Sequence, residues 1–312
     1  MLPSAFLNPA YRPSIARTIP ARSNERRNIQ NFRLSARFST CVVWDDLNIG
    51  LLIKESYVKE MENKPDLSAF DLSGRHALIT GGVQGLGLEI ARGLAQAEAS
   101  VVITGRVADT VESAAEALRA EGFEAVGVAV DMTDDVAVNE WLGGYSRDFD
   151  ILINVNNVGT PDLPPEDFAR LLDFGITSAY RMTRLVYSSM EKAHKGAVIN
   201  ISSVAGPMAR PGDPGYTAAK AGIDALTRSH AMEFATMGFR VNAIAPGFFA
   251  TEANQEWVND DVVNDYVERR IPMQRWGQPN EIAGAAVFLA SDASSYVTGH
   301  TLFVDAGLSA LM

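Results

Sequence analysis

An α/β fold, in which strands alternate with helices, is predicted for this chain of 312 residues. Two observations predict it. The run His76-Ala-Leu-Ile-Thr80 is a short apolar segment suited to a buried strand. It breaks into Gly81-Gly82-Val83-Gln84-Gly85-Leu86-Gly87, after which Leu88, Ile90, Ala91, Leu94 and Ala95 recur at helical spacing. The second observation is that the same strand-then-helix pattern repeats to the end of the chain.

The elements follow in order. A strand is expected near 76–80 and a helix near 86–97, then the β-branched strand Val101-Val-Ile-Thr104. Over 108–121 the residues Ala108, Val111, Ala114, Ala115 and Leu118 make an apolar helical stripe. A strand near 124–130 ends at Asp131, a helix follows near 135–145, and a strand near 150–155. Long helices are expected near 176–194 and 214–236, flanking the strand Ala197-Val-Ile-Asn-Ile201. The strand Arg240-Val-Asn-Ala-Ile244 comes next, then a variable lid between about 250 and 275, a helix near 279–290 and a last strand near 301–304.

Two motifs carry chemistry. A strand, a glycine turn and a helix N-terminus together form an anion site, because free N–H groups and the helix dipole converge there. The spacing is Gly-x-x-x-Gly-x-Gly, not the commoner dinucleotide fingerprint, and alone it is a weak signal, with a plain structural turn as the lesser reading. The second motif is Tyr216-Thr-Ala-Ala-Lys220, with Ser203 thirteen residues upstream. A tyrosine and a lysine four apart share one helical face. The lysine charge favours the phenolate and lowers the tyrosine pKa from its reference near ~10. Such a phenol can pass a proton to or from a carbonyl or alcohol oxygen, while a serine hydroxyl holds that oxygen. A hydride carrier completes the equipment.

With these motifs the sequence resembles the short-chain dehydrogenase/reductase family from about Asp71 to the C-terminus. The matching pieces are Thr80 to Gly87, Asp131, Asn156-Asn157-Val158-Gly159, Ser203, Tyr216 with Lys220, and Asn242-Ala-Ile-Ala-Pro246-Gly247. The resemblance implies a single doubly wound Rossmann-type domain with a seven-stranded parallel sheet and helices on both faces. It also implies a nicotinamide dinucleotide, a homodimer or homotetramer formed through the two long helices, and Ser203, Tyr216 and Lys220 as catalytic residues. The cofactor contacts carried over are Gly81, Gln84, Gly85, Leu86, Gly87, Asp131, Met132, Asn157, Tyr216, Lys220, Phe249 and Thr251.

Cofactor choice rests on the end of the second strand, where an acid selects NAD and a cation accommodates the 2′-phosphate of NADP. Gly105 stands at the acid's place and Arg106 follows. A guanidinium forks onto phosphate, so NADP is favoured over NAD. Gln84 is counter-evidence, since many NADP members carry a second basic residue there.

The chain departs from the family pattern in one region. Gly175 stands where the family has a helix asparagine whose backbone holds a water linking the lysine to solvent. The segment from Asp150 to Gly159 is two residues longer than usual, and Gly159 to Gly175 is several residues short. These departures read as a reshaped substrate pocket, a weakened proton relay or a splice error in the translated sequence. Near the end, Asp305-Ala306-Gly307 replaces Asp-Gly-Gly.

Composition sets bounds. Hydrophobic residues make up 47%, mean hydropathy is near zero, and no apolar run approaches the ~20 residues of a membrane span. The single cysteine, Cys41, excludes an intramolecular disulfide framework. Zinc-ligand spacing and basic helices are lacking, so metal and nucleic acid are not expected. Residues 1–44 hold seven arginines and one acid, a net +6, which leaves −17 for 45–312 out of the total of −11. An arginine- and serine-containing, acid-poor N-terminus reads as a mitochondrial targeting segment, with Leu34-Ser-Ala-Arg37-Phe38-Ser39 as a cleavage region. The mitochondrial matrix is the expected location, with the cytoplasm as the alternative. The expected organisation is this segment (1–44), a lead-in (45–70) and the catalytic domain (71–312).

The expected activity is an NADP-preferring oxidoreductase interconverting a secondary alcohol and a ketone. Arg270-Ile-Pro-Met-Gln-Arg-Trp-Gly-Gln-Pro279 resembles the gluconate 5-dehydrogenase branch, which points to a sugar acid. A related branch reduces 3-oxoacyl thioesters, and a dinucleotide-binding protein with little turnover is a further reading motivated by Gly175. A carboxylate-bearing substrate needs a cation; Arg210, Arg269, Arg270 and Arg275 are the candidates. For Arg275 and Trp276, packing of the turn is the stronger expectation than substrate contact.

Overall fold

The computed structural model describes residues 41–45, 48–52, 67–155, 168–209 and 213–311. The chain divides between Lys64 and Pro65 into two units. In the first, β1 (Cys41–Asp45) and β2 (Asn48–Leu52) pair antiparallel, with Cys41 opposite Leu52 and Asp45 opposite Asn48. The sequence reading gave this segment no structure.

The second unit alternates strand and helix. Its elements are β3 (His76–Thr80), α1 (Gly85–Gln96), β4 (Ser100–Gly105), α2 (Ala108–Ala120), β5 (Ala125–Ala129), α3 (Asp135–Gly144) and β6 (Ile151–Asn154). Then come α4 (Phe168–Leu172), a π turn (Asp173–Thr177), α5 (Ser178–Ala193), β7 (Gly196–Ile201), α6 (Ala205–Met208) and α7 (Pro214–Phe234). The unit ends with β8 (Phe239–Pro246), α8 (Gln255–Val258), α9 (Asp261–Arg270), α10 (Ala283–Ala290) and β9 (Thr301–Val304). The sheet has seven strands, all parallel, in the order β5-β4-β3-β6-β7-β8-β9. The order reverses between β3 and β6, and a crevice at the strand C-termini there is where such sheets bind ligands.

The strands read as continuous apolar runs because both sheet faces are covered. Successive side chains point to opposite faces. Accordingly Ile79, Ile103, Ile153 and Ile199 pack with Ile90 and Leu94 of α1, Leu118 of α2 and Leu289 of α10. Their neighbours Leu78, Val102, Leu152 and Val198 pack with Val138 of α3, Val186 of α5 and Phe234 of α7.

Two elements differ from expectation. The long helix expected from 176 is entered through the π turn, and its ordinary α register begins at Ser178. The expected lid between 250 and 275 is built largely from α8 and α9, the latter N-capped by Asp260, whose carboxylate accepts from the amides of Val262 and Val263.

Candidate active site

The glycine turn is shaped by close backbone approach. The hydroxyl of Thr80, at the end of β3, accepts from the Val155 amide at 3.1 Å and reaches the Ile153 carbonyl at 3.3 Å, locking the turn onto the exit of β6. Gly81 follows with φ +67°, and a Cβ there would lie 2.5 Å from the Val155 oxygen. At Gly87 a Cβ would lie 2.5 Å from the Gly81 oxygen. Only glycine fits at either place. Gln84 caps α1 with extended backbone, but its side chain makes no cap hydrogen bond. Gln84 thus leaves the first-turn amides of α1 uncapped, and the helix dipole there favours an anion. Gly85 has φ +53° and would carry a Cβ 3.6 Å from Thr251 Cγ2. The turn and buried Thr251 thus share one wall, while half-buried Leu86 packs on the core. This cradle fits a dinucleotide pyrophosphate.

Gly105 closes β4, and a Cβ there would meet Val83 Cγ1 at 2.8 Å and Val111 Cγ2 at 3.0 Å. An acid at this place would have to displace Val83 and Val111. Arg106 is exposed beside it and pairs with no acid among the described residues. Asp131 is half-buried; its Oδ1 accepts from the amide and hydroxyl of Thr133 at 2.9 and 2.8 Å. Met132 is buried, and its carbonyl accepts from Arg181 of α5 at 3.0 Å. The buried Phe249 offers its carbonyl to the Thr251 amide and to Asn254 Nδ2, both at 2.9 Å. That carbonyl holds the chain that leads into the lid. Asn157 and the whole Asn156-Asn157-Val158-Gly159 motif lie outside the described residues.

Ser203 follows β7, is 8% exposed, and its Oγ accepts from the Ala205 amide at 3.1 Å. Asp213 caps α7 by accepting from the Tyr216 amide at 3.0 Å, which fixes the tyrosine in the first turn. Tyr216 packs with Leu171, Phe174, Ile176 and Ala219, so α4 and the π turn support its ring. One turn on, Lys220 is 4% exposed; its Nζ donates to the Ile201 carbonyl at 2.8 Å and lies 5.6 Å from the Tyr216 ring centroid. Ile201 is two residues before Ser203, so this bond ties α7 to the end of β7. Burial lowers the Lys220 pKa from 10.5 to about 8, against the opposing pull of Asp224. The ammonium therefore stays mostly charged at neutral pH. Gly175 lies buried within the π turn.

Of the cations considered for substrate, Arg275 makes a forked pair with Glu281, each contact 2.7 Å. Trp276 Nε1 donates to Asn264 Oδ1 at 2.8 Å, pinning α9 to the turn. Both serve packing. Arg269 pairs with Asp265 at 2.7 Å, Arg270 is exposed, and Arg210 lies outside the described residues.

Sequence reasoning missed a buried polar chain. Asn154 Nδ2 donates to Asn200 Oδ1 and Asn200 Nδ2 to Thr227 Oγ1, both at 2.9 Å, joining β6, β7 and α7 behind the site. Asparagine inside the apolar runs Ile151–Asn154 and Ala197–Ile201 was the available signal, because a buried amide must find partners. Asp224 was missed as well.

A family model described as enoyl-(acyl carrier protein) reductase matches residues 81–309. Gluconate 5-dehydrogenase of Gluconobacter oxydans is 40% identical over 254 residues, covering 78% of this chain and 98% of that protein. A 3-oxoacyl-[acyl-carrier-protein] reductase of Pseudomonas aeruginosa is 37% identical over 76% of this chain and 98% of its own length. A crystal structure of a gluconate 5-dehydrogenase from Burkholderia cenocepacia, in complex with NADP and tartrate, superposes with a TM-score of 0.74 at 37% identity, covering 78% of this chain and 98% of that one. The sugar-acid relatives come from bacteria such as Gluconobacter, Formosa, Escherichia and Bacillus. Bacteria have no mitochondria, and this corrects the expected placement in the mitochondrial matrix. Arginine content and low acidity make a segment basic, and that property alone does not make it an import signal. The αβ sheet order, the glycine cradle and the extent of these matches lead to one conclusion: the chain belongs to the short-chain dehydrogenase/reductase family.

Proposed function

We propose that this chain is an NADP-preferring oxidoreductase that interconverts a secondary alcohol and a ketone on a sugar acid of the gluconate type. The observation that carries the reading is the Tyr216–Lys220 pair on α7, tethered through Lys220 Nζ to the β7 end that bears Ser203. The glycine cradle and Arg106, which pairs with no acid among the described residues and stands beside a crowded Gly105, support NADP. A gluconate 5-dehydrogenase with NADP and tartrate, itself a dicarboxylate bearing hydroxyls, supports both cofactor and substrate class. The catalytic unit is residues 71–312, with 45–70 leading into it. Exposed Tyr180 and Met232 on α5 and α7 support a homodimer or homotetramer through those helices.

When bound, the cofactor would supply hydride to the carbonyl carbon as NADPH, or accept it from the alcohol carbon as NADP+. Tyr216 gives its phenolic proton to the substrate oxygen in reduction and takes it back in oxidation. Ser203 hydrogen-bonds the same oxygen and fixes its position. Lys220 holds positive charge under the Tyr216 ring, which favours the phenolate.

The 3-oxoacyl thioester reading is the runner-up, favoured by the match to an acyl-carrier-protein reductase. The test is NADPH oxidation by the full chain with 5-ketogluconate and with an acetoacetyl thioester, NADH in parallel. Turnover of the keto acid that falls by about 100-fold or more in Tyr216→Phe is expected. Preference for the thioester overturns the substrate class, and NADPH binding without turnover of either favours a low-turnover binding protein.

A further inference from the structure

We infer that Asp224 is a positioning residue for the Ser203–Tyr216–Lys220 site: from one helical turn beyond Lys220 it braces the loop carrying Ser203 and counterbalances the buried lysine. This rests on the oxidoreductase reading above.

Asp224 is 8% exposed, yet it makes no ion pair within 4 Å among the described residues. Its hydrogen-bond partner is a hydroxyl: Thr301 of β9 donates to Oδ1 at 3.1 Å, while the hydroxyl of Ser202, the residue before Ser203, donates to the Lys220 carbonyl of the same helix at 3.3 Å. The loop side is fitted to it: a Cβ at Gly206 of α6 would lie 2.8 Å from Asp224 Oδ2. One carboxylate on α7 therefore meets both β9 and α6, the latter beginning two residues after Ser203. A carboxylate buried without an ion-pair partner is costly, and stability gives no reason to keep it here.

The charges acting on Asp224 are Lys220 and Arg228, four residues before and after it on α7; the groups reaching it from the Ser202 loop and from β9 are neutral hydroxyls. Burial pushes the Asp224 pKa up, while Ser202, Thr301, Arg228 and Lys220 pull it down. In return Asp224 raises the Lys220 pKa against burial. Tyr216 is two helical turns away, about 12 Å by helical rise, so Asp224 acts on it chiefly through Lys220. Without the carboxylate charge, Lys220 releases its proton at lower pH, and the Tyr216 phenolate forms at higher pH.

The test is Asp224→Asn in the full chain, which keeps shape and loses charge. Two curves are recorded: kcat/KM for gluconate oxidation with NADP against pH, and Tyr216 ionisation from the ultraviolet difference between each protein and its Tyr216→Phe counterpart, with no substrate present. Both limbs are expected to move up by about one pH unit, which is roughly a tenfold loss of kcat/KM on the limb. Curves that superimpose on the wild type overturn the inference. A uniform loss at every pH also overturns it, since that is what a merely structural role produces. If gluconate is not turned over, the substrate reading has failed and the spectral curve still decides on Asp224. If Asp224→Asn does not fold, Thr301→Val removes one hydroxyl donor and is expected to move the spectral limb in the same direction by a smaller amount; no movement overturns the proposal.

Discussion

Replacing Lys220 by methionine measures what the fold gives up to keep a cation in the site. Lys220 is 4% exposed, and burial takes its pKa from 10.5 to about 8. Below pH 8 the lysine is charged in both the folded and the unfolded chain. The folded chain then bears the whole cost, about 3 kcal/mol at 1.36 kcal/mol per pH unit. Between about 8 and 10.5 the folded chain has released the proton and the unfolded chain has kept it. The unfolded chain binds more protons there, so stability rises with pH. At about pH 9.5 roughly 1.4 kcal/mol of the cost is left. Methionine cannot titrate, but it leaves the Ile201 carbonyl without its 2.8 Å donor, a pH-independent loss of about 1–2 kcal/mol. The prediction therefore lies in the slope. Wild-type stability relative to Lys220→Met is expected to rise by about 2 kcal/mol from about pH 7 to 9.5. Urea unfolding followed by tryptophan fluorescence, at one protein concentration, measures it. A difference independent of pH would refute the reasoning, because the ammonium would then be reaching water.

Three further perturbations address the cofactor cradle. Arg106→Ala is expected to lower kcat/KM with NADPH by roughly 10- to 100-fold and to leave NADH use nearly unchanged; an unaltered ratio refutes the role given to Arg106. Gly105→Asp is expected not to convert the enzyme to NAD, since its Cβ meets Val83 Cγ1 at 2.8 Å. Overpacking there costs about 1–3 kcal/mol, and a combined Val83→Ala is expected to restore the melting temperature. Gly81→Ala forces a left-handed alanine against the Val155 carbonyl, costing about 1–3 kcal/mol; fluorescence titration is expected to show lost NADPH binding.

The fold was legible where burial on both faces writes apolar runs into the strands. His76–Thr80 and Ser100–Gly105 need no partner information to be recognised, and the stripe from Val111 to Leu118 marks α2 by itself. Boundaries held where a cap or a proline marks them, as with Asp213 and Pro214 at the start of α7. What escaped depends on distant partners or on backbone register. Asp224 meets Thr301, 77 residues away, and no local pattern announces that meeting. Arg275 read as a possible substrate cation until Glu281 was found to occupy its fork. The π turn left no trace in the side-chain pattern, because one extra residue within a helix disturbs the apolar stripe by less than a helix boundary does.

That π turn bears on whether Gly175 weakens the site. An α-helix passing through residue 175 would commit each carbonyl to the amide four residues on. The π turn over Asp173–Thr177 breaks that register, and the Ser178 hydroxyl donates to the Phe174 carbonyl at 2.5 Å within it. Backbone geometry, rather than an amide side chain, thus decides where carbonyls near 175 point. The segment is held from outside: a Cβ at Gly222 of α7 would collide with Ile176 Cδ1, so the Ile176 side chain rests directly on the α7 backbone. Glycine loosens this stretch by up to ~1 kcal/mol, and the packing offsets it. Gly175→Asn is therefore expected to change kcat by less than about threefold, with Gly175→Ala as the control for backbone stiffening alone. A gain above about tenfold confined to the asparagine variant would mean that the side-chain amide itself is what the site lacks. In that case the low-turnover reading becomes the better account of this protein.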